Sequence, residues 1–117
     1  MWLVDPKQYL IDFFKSIPRE DIEKFIDSGQ SLASIIEERL NMLQSLPDWL
    51  RDFVIGLIRK EWDTIDHFLS DTEKVIKEVV SIRPDLAITF SKKHRREWLD
   101  REVKKIRKLL YFIAWEY

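Results

Sequence analysis

Cysteine is absent from this chain, which removes any disulfide framework and any thiolate zinc site. Glycine occurs twice and proline four times, too little punctuation for a fold of short strands and turns, so long helices are favoured. No apolar run approaches the ~20 residues of a membrane-spanning helix. The opening stretch, MWLVDPKQ, lacks the basic and apolar regions of a secretory leader. The expected location is therefore cytoplasmic. A single asparagine, three glutamines and 35% charged residues give a thermophile-like composition.

What is present suits a packed core. Hydrophobic residues make up 45% of the chain and aromatics 13%, with five tryptophans, which excludes disorder for most of its length. At 117 residues without a linker-like stretch, residues 1–117 are expected to form a single helical domain. The net charge of −1 conceals a polarity. Residues 1–91 hold 11 basic and 17 acidic side chains, whereas residues 92–108 hold nine basic and three acidic ones. A basic segment on an acidic body can meet an anionic partner, its own body or a second copy.

Taken in order, the chain predicts an all-α domain of five or six amphipathic helices. Asp5-Pro6 reads as an N-cap followed by proline at the first helical position. Pro18 separates the first two helices, and Gly29 suits the residue after the second. Ser31 is the expected cap of a third helix. Pro47 starts a fourth, where Leu50, Phe53, Val54, Leu57, Ile58, Trp62, Ile65, Phe68 and Leu69 hold helical spacing. This long helix, about 48–69, is expected to be the centre of the core, with Gly56 admitting a neighbouring helix. Asp71 caps the next helix and Arg83-Pro84 stops it. Residues 84–90 combine a helical start with strand-like alternation, and read as a short helix because no strand is available to pair with it.

The final helix, about 92–116 with Ser91 as its expected cap, divides into three. Leu99, Val103, Ile106, Leu110 and Ile113 form a core stripe. Lys92, Lys93, Arg95, Arg96, Arg101, Lys104, Lys105 and Lys108 form a cationic set, four of them in the first turns, where the helix dipole disfavours cations. Tyr111, Phe112 and Trp115 then occupy the side where lysines stood one or two turns earlier.

Trp, Tyr and Arg are enriched at interface centres, so the expected role is a small accessory subunit that binds a protein partner or oligomerises through this basic-aromatic helix. The alternative is nucleic-acid binding, the cations neutralising phosphates while an aromatic ring stacks on a base. A membrane-surface role ranks last, because the core needs the apolar stripe.

No catalytic set stands out. If the fourth and fifth helices are continuous, Asp63, His67 and Asp71 fall at i, i+4 and i+8 on one face and could hold a metal weakly, yet His94 is the only other histidine and lies among cations. Glu20, Asp21 and Glu23, and the pair Glu37-Glu38, read as helix-surface acids. Two glycines cannot build a phosphate-cradling loop. The chain is therefore read as a non-enzyme with no metal, no cofactor and no small-molecule substrate.

Residues 7–14, KQYLIDFF, resemble the sliding-clamp-binding box, with Leu10, Phe13 and Phe14 matching its aliphatic and aromatic positions. Lys7 stands where that box has glutamine. The same three apolar residues are what the first helix needs for its own core, and core packing is the preferred reading.

Overall fold

A computed structural model describes the backbone of residues 6–116 and the side chains of residues 11–116. Every regular element among them is helical. The α-helices are α1 (Pro6–Ser16), α2 (Arg19–Ser28), α3 (Leu32–Leu40), α4 (Asp48–Lys60), α5 (Trp62–Leu69), α6 (Thr72–Ile82), α7 (Ala87–Ser91) and α8 (Lys93–Trp115). Short 3-10 turns cover Asn41–Ser45 and Pro84–Leu86.

Several boundaries follow local chemistry. Gly29 ends α2 with φ at 72°, a left-handed conformation that favours glycine. The Gln30 N–H then donates to the Phe25 carbonyl at 3.1 Å. Asp71 caps α6 by accepting the Glu73 N–H at 3.0 Å. Pro18 and Pro47 sit immediately before α2 and α4. The Asp5 cap falls outside the described residues.

The described residues form eight α-helices against the expected five or six, and one added joint, at Glu61, carries no sequence signal. The 48–69 helix is divided at Glu61 (φ −92°, ψ 9°), without Gly or Pro, so it is not one long central rod. The break lets α4 pack on α8 while α5 packs on α1, α6 and α8. Residues 84–90 are helical, as a 3-10 turn followed by α7. The extended backbone of Lys92 (φ −79°, ψ 134°) then separates α7 from α8. Lys92, not Ser91, is the N-cap residue of α8, and the Ser91 hydroxyl donates back to the Ile88 carbonyl.

The element that organises the fold is α8. It touches α3, α4, α5, α6 and α7, and its 23 residues span about 35 Å at about 1.5 Å per residue. Leu99, Val103, Ile106, Leu110 and Ile113 are all buried, joined by Trp98 and Ala114. At the other end of the core, Phe14 meets Phe90 edge to face with centroids 6.4 Å apart. Phe13 and Phe14 are buried, so these two positions of the clamp-box resemblance serve packing. Leu10 lies outside the described side chains.

Two charged side chains tie helix ends together. Arg83 donates to the Phe14 and Ile17 carbonyls at the end of α1, and its guanidinium also grips Asp85. Glu102, only 3% exposed, reaches the start of α3. There one carboxylate oxygen accepts the Ser31 hydroxyl at 2.8 Å and the Ala33 N–H at 3.0 Å. Ser31 occupies the N-cap position but makes no cap bond of its own, so a residue of α8 does that work.

Gly56 corrects an expectation. It is exposed, and a Cβ added there would meet nothing within 4 Å, so no neighbouring helix of this chain approaches it. Gly56→Ala is therefore expected to stabilise the monomer by about 0.5–1 kcal/mol through helix propensity, raising the Tm by about 2–5 °C. Thermal unfolding at low protein concentration checks this.

Candidate functional site

The exposed side of α8 carries Arg101, Lys104, Lys105, Lys108, Tyr111, Phe112 and Trp115. Its aromatic end is built on the helix period. Tyr111 and Trp115 are one turn apart and stack with centroids at 5.5 Å and planes 20° apart. Trp62, at the start of α5, stands edge-on to both, 5.5 Å from Tyr111 and 5.3 Å from Trp115. Arg107 covers another part of Trp62, 6.0 Å from the ring centroid, and pairs with Asp66. Offset and edge-to-face ring contacts of this kind contribute about 0.5–1.5 kcal/mol each, so the three rings form a fixed platform. Tyr111, Phe112 and Trp115 each keep close to half of their surface exposed.

The sequence period assigns Trp62 to the core, yet it is only partly buried and becomes the third ring of the platform. Trp62 is the first residue after the unmarked bend at Glu61, and no local pattern marks that position.

The cationic set divides by partner. Arg95, with 13% of its side chain exposed, bonds Glu23 of α2 at 3.2 Å, and the same carboxylate oxygen accepts the buried Thr89 hydroxyl. Arg96 pairs with Glu73 of α6. Lys93 lies 4.0 Å from Glu97 and Lys104 lies 2.8 Å from Asp100, both one turn away on α8. Lys105 lies 3.6 Å from the buried Glu102. Lys92, Arg101 and Lys108 have no ion-pair partner among the described residues. Arg95 and Arg96 thus lock the start of α8 to α2 and α6, which offsets the helix dipole at that end. The sequence leaves this structural use unseen because the partners lie 72 and 23 positions away.

Arg101 and Lys108 stand two turns apart on the outward side, in line with Tyr111, Phe112 and Trp115 by helical position. A cleft beside this row, of roughly 660 Å³, is lined by Thr72, Glu73, Lys93, Arg96, Asp100 and Arg101. Its charges are of both signs.

Two carboxylates near these ion pairs are held below the usual range. Asp85 is lowered first by its hydrogen bond from Arg83, whose own pKa is raised by the same bond, and Asp100 by the bonds from Lys104 and Thr72. Such a group adds its stability in full above its unfolded value of about 3.9 and loses it as pH falls through the lower folded value. These two carboxylates are therefore expected to add no slope between about pH 7 and 5 and a destabilising one below about pH 4. Both are substantially exposed, so salt shrinks the effect. Urea midpoints across the acid range, with Asp100→Asn as the variant that flattens the drop, test this.

The remaining candidates do not converge. Asp71 serves as the α6 cap, so Asp63, His67 and Asp71 share no continuous helix. His67 instead lies beside the Lys74 ammonium, Nε2 to Nζ, in an open cleft with Asp63 and Lys77. No group of three metal-ligating side chains occurs among the described residues. No described helix is long and apolar enough to cross a membrane. No protein-family model, curated protein or solved structure matches this chain.

Proposed function

We infer that this protein is a non-enzymatic binding subunit whose outward α8 side takes an acidic protein surface with an apolar centre. The observation that carries the reading is the Trp62–Tyr111–Trp115 platform, fixed by ring contacts while Tyr111 and Trp115 stay close to half exposed. Rigid, half-exposed aromatic surface is what interface centres are made of, since it loses little entropy on binding. The unpaired Arg101 and Lys108 beside it favour an acidic rim on the partner. With five of the eight candidate cations already matched by carboxylates of this chain, phosphate neutralisation is the weaker use of this side.

Tryptophan emission, read during titration with an acidic amphipathic helical peptide and separately with a single-stranded oligonucleotide, tests the reading. Saturable peptide binding that weakens about tenfold in Trp115→Ala supports it. Oligonucleotide binding with a steep salt slope selects the nucleic-acid alternative instead. A peptide response unchanged by Trp115→Ala discards the platform as the contact.

A further inference from the structure

The outward face of α4 presents a second surface, apart from the α8 platform. Trp49 and Phe53 are 72% and 55% exposed, and both are large rings that monomeric surfaces rarely leave open together. At 100° per residue, Trp49, Asp52, Phe53, Gly56 and Lys60 fall within one sector of about 100°, and all five are exposed. Gly56 lies in the middle of this row with open space above it. A mid-helix glycine costs about 1 kcal/mol relative to alanine, and no contact within the monomer accounts for that cost.

The charges on this face are arranged symmetrically about the glycine. Asp52 lies four residues before Gly56 and Lys60 four residues after it, and neither has an ion-pair partner among the described residues. When two copies of α4 cross antiparallel on a two-fold axis at Gly56, Asp52 of each faces Lys60 of the other. Phe53 of each then enters the notch left by the other's Gly56, and Trp49 reaches the last turn of the other helix, where Lys60 can sit against the indole. A face that is complementary to its own two-fold image is the requirement for an isologous contact. An unrelated partner gives no reason for the charges to be equidistant from the glycine.

We propose that the α4 face is a homodimer contact centred on Gly56, with reciprocal Asp52–Lys60 ion pairs and Phe53 packed against the facing glycine. One short helix face buries less than the ~1,200 Å² at which standard interfaces begin, so the dimer is weak and concentration-dependent.

Sedimentation equilibrium of the full chain from about 1 to 500 µM tests it, a span chosen for a contact at the weak end. The expected result is a reversible monomer–dimer equilibrium. Asp52→Lys or Lys60→Asp alone should raise the dissociation constant about tenfold, and the double exchange should restore it to within about threefold. Gly56→Leu should weaken the dimer while the monomer's Tm holds or rises, which separates loss of contact from loss of fold. A chain that stays monomeric throughout overturns the proposal. So do charge exchanges that leave association unchanged, or a double variant weaker than either single one. All of these substitutions lie away from Tyr111 and Trp115, so failure here leaves the α8 reading standing, and the converse holds.

Discussion

Glu102→Ala is expected to cost about 3 kcal/mol of folding stability, and Glu102→Gln about a third of that. The buried carboxylate accepts the Ser31 hydroxyl and the Ala33 N–H through one oxygen, while its other oxygen faces Lys105. Alanine removes the acceptor and leaves a buried N–H at a helix start with no replacement, because α3 has no side-chain cap of its own. Glutamine keeps an amide oxygen for the same two donors and gives up only the charge, with the modest attraction of the α3 dipole and Lys105. Urea unfolding of the three proteins separates the two contributions. Equal losses for alanine and glutamine would show that the charge, rather than the acceptor, fastens α8 to α3.

Phe90→Ala should be at least as damaging, at about 3–5 kcal/mol, as for other fully buried aromatic deletions. Phe90 is buried among Phe14 and the other core side chains and supplies the edge-to-face contact between α7 and α1. α7 has only five residues, too few to hold itself by backbone hydrogen bonding, so this ring is its main anchor together with the buried Leu86 and Thr89. Phe90→Leu, which retains most of the volume, should lose about 1–1.5 kcal/mol. The comparison is made from denaturant midpoints at constant m-value, and a loss below about 1 kcal/mol for the alanine variant would mean that α7 is not held through its ring.

How far the sequence reaches depends on whether a feature is local. Asp71, Gly29, Pro18 and Pro47 mark helix ends through their own side chains or backbone preferences, and each stands at or immediately beside the end it was expected to mark. The break at Glu61 has no such marker and arises from the competing packing demands on α4 and α5. Phe53 fits the apolar period of α4, yet the buried face is centred on Val54, Ile55 and Ile58, because tertiary packing chose an arc slightly rotated from the one suggested by the period. The half-exposed rings of Tyr111, Phe112 and Trp115 were legible because the polar side of that helix disappears after Lys108. The use of Trp62 as their third ring, and of Arg95, Arg96 and Glu102 as fasteners, depended on residues 23 to 72 positions apart, and no short-range pattern encodes such pairs.

The position of α8 in the chain bears on synthesis. It is the last of the described helices to leave the ribosome, and it is the element against which α3, α4, α5, α6 and α7 pack. Until it emerges, the preceding segments carry a net acidic charge and an open apolar trough, with Glu23 and Glu73 lacking their arginines and α3 lacking its cap. The segments before α8 should therefore remain protease-sensitive until α8 is released, because the contacts that close the core are the long-range ones.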